Sequence, residues 1–184
     1  MLYTGKGDSG TTKLFNTPSG ERLPKTHPVF EALGTVDELV AQLGLLKVGL
    51  RSTDLMIGEV RADIVTHNVQ EALFTLQAEL AGAGMSIAEE RVTELGALVD
   101  EIENLLPPIK TFFIAGATEL SAQADVCRTI SRRMERTVLH AVSAGIKVSP
   151  ASLAYANRLS SLLYAIARFS SYSAGVDEAP PSYT

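Results

Sequence analysis

One cysteine, Cys127, stands in the 184 residues, so no intramolecular disulfide can form. The three histidines, His27, His67 and His140, are scattered and show no metal-ligand spacing. No apolar run approaches the length of a membrane span. Positive charge is also scarce: 16 Lys and Arg face 21 Asp and Glu, for a net charge of −5. That balance argues against general nucleic-acid binding, and a nucleotide ligand would need a local basic cluster. A charged-then-apolar leader is missing too, so the expected compartment is cytoplasmic, with no membrane partner.

The chain is 46% hydrophobic, enough for one domain with a real core. Residues 1–28 are rich in Gly, Thr, Pro and Lys and lack helical periodicity. Helical patterning then runs almost to the end. TVDE reads as a capping box, Thr35 with Glu38, ahead of the stripe Val36, Leu39, Leu43, Leu46 and Leu50. A second helix is expected over residues 55–80, closed by AGAG. SIAE predicts a third, capped by Ser86 and Glu89 and stopped at Pro107-Pro108. A fourth is expected from about Thr118 to Ala144. Ser149-Pro150 opens a fifth, N-cap then proline, running to about Ser173. The expectation is an all-α, five-helix up-and-down bundle over residues 29–175. An irregular arm (1–28) precedes it and a loose tail (176–184) follows.

Three features carry chemistry. GKGDSG, residues 5–10, matches the dinucleotide fingerprint literally, but no strand precedes it and no helix follows. It is either a flexible tail with a turn or a glycine loop that brings backbone N–H groups to an anion. The fourth helix reads DVCRTISRRMERTV. Cys127, Ile130, Met134, Val138 and Ala141 fall on one face, and Asp125, Arg128, Arg132, Glu135 and Arg136 on the other. Arg133 lies on the flank. Such a stripe is either a solvated face with i,i+4 pairs or a site for phosphate or carboxylate. The fifth helix is apolar nearly all round, yet Asn157, Ser161, Tyr164 and Arg168 recur along one line. Asn157, in a helix expected to be buried, is expected to be hydrogen-bonded, as a helix–helix contact or a ligand group at the mouth of the bundle.

LYTGKGDSGTT, ERLPK, LGTVDEL, LPPIKTF, CRTISRRMER and YANRLSSLLYAIAR, in that order, resemble the trimeric ATP:cob(I)alamin adenosyltransferases. The likeness implies a homotrimer with active sites between subunits. Its members transfer the 5′-deoxyadenosyl group of ATP to cobalt, with Mg²⁺ as cofactor and release of triphosphate. It implies that Thr4, Gly5, Lys6 and Gly7 wrap the ATP phosphates, with Thr12, Lys13 and Lys25 nearby. Arg132, Arg133, Met134, Glu135, Arg136 and Asn157 complete the nucleotide site. It also implies that Arg128 pairs with Asp37 of an adjoining subunit and that Phe112 is an aromatic wedge beside the corrinoid. The partners implied are ATP, the corrinoid, other copies of the chain and a reductase supplying Co(I). No protein metal ligand is assigned. The chain departs from the family pattern at Gly5, Ser9, Ala115, Ala117 and Ser161. Phe113 competes with Phe112, but spacing to Arg128 favours Phe112. The alternative function is a non-catalytic trimeric bundle that binds nucleotide or corrinoid.

Overall fold

The computed structural model describes residues 3–183; positions 1, 2 and 184, at the outer ends of the arm and tail, lie outside it. Five helices carry the fold: α1 (Pro28–Arg51), α2 (Ala62–Leu80), α3 (Glu89–Leu105), α4 (Glu119–Ser143) and α5 (Pro150–Ser173). The only strands among the described residues are two-residue pieces. β1 (Thr11–Thr12) pairs antiparallel with β2 (Leu23–Pro24) in the arm, and β3 (Met56–Ile57) pairs with β4 (Val60–Arg61) before α2.

Three helix starts differ from expectation, each for a local reason. α1 begins seven residues before Thr35, because His27 caps it: its Nδ1 accepts from the Val29 N–H, and Pro28 takes the first turn. Val29 and Ala32 extend the buried stripe backwards. Thr35 is therefore inside the helix, buried, donating its hydroxyl to the Glu31 carbonyl at 2.8 Å. α2 begins at Ala62 because residues 56–61 form a hairpin. Gly58 takes φ +57° at its turn, where a side chain would run into the Glu101 carboxylate. Ile57, fully buried, anchors that hairpin. α3 begins at Glu89 with no side-chain cap, so the Ser86–Glu89 box does not form. The segment before it is held extended instead: Ile87 is buried, and its N–H donates to Ser152 Oγ at 3.1 Å. The cap expected for α5 is present, and α4 has one that was not expected. Thr118 and Ser121 cap each other reciprocally, and Ser149 Oγ accepts from the Ser152 N–H.

α1 packs against α2 on one side and α4 on the other, and α5 packs between α4 and α3. The core is aliphatic, with Leu39, Leu43, Leu46, Leu73, Leu76 and Leu159 fully buried. Cys127, Met134 and Val138 of α4 join it, as the apolar stripe predicted. Glu79 locks the start of α5, accepting from the Ser149 N–H and the Ser152 hydroxyl, where a carboxylate also suits the helix dipole. The connection over residues 106–118 has no regular structure and reaches the tail: the Ile114 N–H donates to the Ala179 carbonyl at 2.8 Å. With Glu178 also paired to Arg168, residues 178–179 of the expected loose tail are tied to the bundle.

Candidate active site

The arm folds into a tight glycine loop. Asp8 N–H donates to Gly5 O and Gly10 N–H to Gly7 O, both at 3.1 Å, and Gly5 and Gly10 adopt φ of +67° and +77°. Two basic residues shape it. The Lys25 N–H donates to Gly10 O at 2.8 Å, and the Lys25 ammonium lies so close over Gly7 that any side chain there would press on it. Arg22 donates to Thr11 Oγ1 at 2.8 Å, to Thr11 O at 2.6 Å and to Lys6 O at 2.8 Å. No role was expected for Arg22. Its one signal was its place in ERLPK, directly before β2, where a long donor reaches back to the paired β1. Thr4, Lys6, Lys13 and Lys25 are exposed, and Gly5, Gly7 and Thr12 half-buried. Thr4 Oγ1 accepts from the Lys6 N–H at 3.4 Å.

On α4 the arginines divide into paired and unpaired. Arg133 forms an ion pair with Glu38 of α1. Arg128 pairs with Asp125 at 2.7 Å, and its guanidinium lies 5.9 Å from the Tyr164 ring centre. Arg132 and Arg136, one turn apart, are exposed and have no hydrogen bond or ion pair among the described residues. Glu135 is half-buried beside them. Two like charges at this spacing repel each other, so an anion would stabilise them. Met134 is fully buried in the core, because it sits on the apolar stripe, so its side chain does not reach this face. Asn157 is exposed, not buried as the apolar character of its helix suggested. The α5 line runs from exposed Asn157 and Ser161 through half-buried Tyr164 to buried Arg168. Asp37 is exposed on α1 and makes no hydrogen bond or ion pair among the described residues. Within one chain, Arg128 therefore meets Asp125 and not Asp37.

A cleft of about 630 Å³ opens where α4 and α5 meet the 106–118 connection. Phe112, Arg128, Arg132, Ser161, Tyr164 and Glu178 line it. The volume suits a sizeable organic ligand. The two phenylalanines behave differently. Phe113 is half-buried, with the Arg168 guanidinium 5.2 Å from its ring centre, whereas Phe112 is 76% exposed. Tyr164 is held protonated above its usual range, first by desolvation, with the Arg168 and Arg128 charges opposing that shift and Glu178 and Asp125 adding to it. The structure thus gathers Phe112, Arg128 and Arg132 at one cleft and Gly5, Lys6, Gly7, Thr12 and Lys25 at one loop. No hydrogen bond or ion pair joins that loop to α4 among the described residues. No group of three or more His, Cys, Asp or Glu side chains is placed to hold a metal ion among them either.

Known proteins resemble the chain in sequence and fold. The chain is 38% identical over 174 residues to a corrinoid adenosyltransferase of Citrobacter freundii, covering 91% of this chain and 93% of that one. It is 33% identical to a mouse corrinoid adenosyltransferase, covering 96% of this chain and 75% of the relative. The PduO corrinoid adenosyltransferase of Citrobacter freundii is 36% identical, but the chain spans about half its length, 49%. Among solved structures, a variant PduO-type ATP:corrinoid adenosyltransferase from Lactobacillus reuteri, complexed with cobalamin and ATP, superposes with a TM-score of 0.85. It is 26% identical, with 99% of this chain and 97% of that one covered. The family model for cobalamin adenosyltransferase matches residues 2–170, and the chain belongs to that family.

Proposed function

We propose that this protein transfers the 5′-deoxyadenosyl group of ATP to the cobalt of a reduced corrinoid. The observation that carries the reading is the pair of unpartnered arginines, Arg132 and Arg136, beside a cleft with a free phenyl ring, Phe112. Cationic groups suit a polyphosphate and an exposed apolar ring suits a corrin face. In the reaction, Co(I) donates an electron pair to C5′. The Co–C bond forms as the C5′–O bond breaks, and triphosphate leaves with that bond's electron pair. No protein nucleophile is required. Arg132 and Arg136 stabilise the charge that grows on the triphosphate. The glycine loop, with Lys6, Lys13 and Lys25, supplies backbone N–H groups and ammonium groups to the phosphates, and Thr4, Thr12 and Asn157 supply hydrogen bonds. Arg133 and Glu135 border that site.

In this proposal the loop and the arginine helix belong to neighbouring copies of a homotrimer. Asp37, which has no hydrogen bond or ion pair among the described residues of its own chain, reaches Arg128 of the next copy. Mg²⁺, held chiefly by the ATP phosphates, would supply charge neutralisation there when bound. Phe112 rather than Phe113 is the wedge that excludes the corrinoid's lower ligand, because Phe113 is already engaged by Arg168. A separate reductase supplies Co(I), and the protein works in the cytoplasm; no helix among the described residues is long and apolar enough to cross a membrane.

The test is turnover of the purified protein with MgATP and chemically generated Co(I)alamin, in wild type and Arg132→Ala. We expect steady loss of Co(I) in wild type and a fall in kcat of about 100-fold in the variant, larger than any change in KM. Binding of ATP and cobalamin without turnover in wild type would instead establish the non-catalytic alternative.

A further inference from the structure

Phe112 stands at the cleft on a segment without secondary structure, and at 76% exposure its own packing does not fix it. Its neighbours are held by one buried cation. Arg168 is 7% exposed in α5, the helix with the most buried residues. Its Nε donates to Glu178 Oε2 at 3.1 Å, and an Nη2 contact at 3.4 Å reaches the Pro107 carbonyl. The guanidinium also covers the Phe113 ring at 5.2 Å. One residue further on, the Ile114 N–H meets the Ala179 carbonyl at 2.8 Å. Arg168 thus joins α5, the tail and the connection on both sides of Phe112.

We propose that Arg168 and Glu178 form a clamp that positions Phe112, with Glu178 drawing the tail onto the connection and Arg168 holding Phe113 beneath it. Both are positioning residues, acting on the corrinoid through Phe112. The proposal rests on the reading of this cleft as the corrinoid site. The physics is that of a buried ion pair. Arg168 cannot remain in this geometry without its counter-charge, because an uncompensated buried guanidinium is strongly unfavourable. Removing Glu178 therefore releases Arg168 from Phe113 and Pro107 and frees Ala179 from Ile114.

The experiment compares wild type with Glu178→Ala and Arg168→Lys in the full-length protein. Amide hydrogen exchange at Ile114 reads the clamp directly. Corrinoid and ATP KM values and the spectrum of ATP-loaded Co(II)alamin read its consequence. The expected result is Ile114 exchange and corrinoid KM each raised about tenfold in Glu178→Ala, with ATP KM changed by less than about twofold. The four-coordinate Co(II) signal should weaken in step. Arg168→Lys, which keeps the charge but loses the planar fork, should fall between. Unchanged Ile114 exchange in Glu178→Ala overturns the clamp. Faster exchange with unaltered corrinoid KM and spectrum overturns the positioning role and leaves only a structural one. A wild type without turnover or corrinoid binding, yet with Ile114 exchange still governed by Glu178, would instead sink the proposed function.

Discussion

Phe112 and Phe113 are adjacent in sequence and differ in what surrounds them. Both line the cleft, but Phe113 is half-buried with a buried guanidinium over its ring, while Phe112 is exposed. Phe112→Ala should therefore leave ATP affinity within about twofold and abolish the four-coordinate Co(II) signal, whereas Phe113→Ala should disturb the 106–118 connection more broadly. Electron paramagnetic resonance of Co(II)alamin on the ATP-loaded protein separates the two; loss of the signal in Phe113→Ala alone would move the wedge by one residue. Cys127 shows the opposite situation, a reactive residue type made inert. Burial pushes its thiol from about 9 up to about 12. Because the folded state holds this proton more tightly, the thiol contributes its full stability below pH 9, and that contribution is lost as pH rises toward about 12. Two checks follow. A thiol reagent at neutral pH should label the unfolded chain and not the native one. In denaturant titrations between those pH values, Cys127→Ala should lose less stability than wild type.

At the scale of elements, local signals succeeded where side-chain chemistry alone decides a helix end. Ser149 before Pro150 forms the cap its sequence suggests. They failed where a distant partner intervenes. Thr35 and Glu38 spell a capping box but lie within α1, since His27-Pro28 offers an earlier start and Val29 has a core to enter. Ser86 is left uncapping because Ser152, far away in sequence, holds Ile87. The contrast is measurable by chemical denaturation. Ser149→Ala should cost about 1 kcal/mol, while Ser86→Ala should stay within about 0.5 kcal/mol. The site divides in the same way. The arginine stripe was legible because a helix converts sequence spacing into a face, so Arg132 and Arg136 emerge together and Met134 turns inward. Arg22, Glu178 and the exposure of Asn157 were not legible. They depend on how irregular segments fold back onto the bundle, for which sequence spacing sets no angle.

On the scale of the whole molecule, charge is segregated. α3 carries six acidic residues and one arginine, whereas α4 carries four arginines between residues 128 and 136. An acidic protein thereby keeps a local basic surface. The glycine loop and that surface are not joined within one chain, and Asp37 has no partner there among the described residues. In the proposed trimer of the 19.6 kDa chain, neighbouring copies complete the site. Sedimentation of the wild type should give three chains. A double-mutant cycle on Asp37→Asn and Arg128→Ala should show coupling of about 1 kcal/mol or more in trimer stability. Full additivity would mean that the two residues do not meet. The central claim, adenosyl transfer, is tested most directly by the fate of ATP labelled at C5′ and at the γ-phosphate, incubated with the protein, Mg²⁺ and Co(I)alamin. The account predicts the C5′ label on cobalamin and the phosphate label in intact triphosphate, in equal amounts. Release of labelled orthophosphate with the C5′ label left in ADP would contradict it.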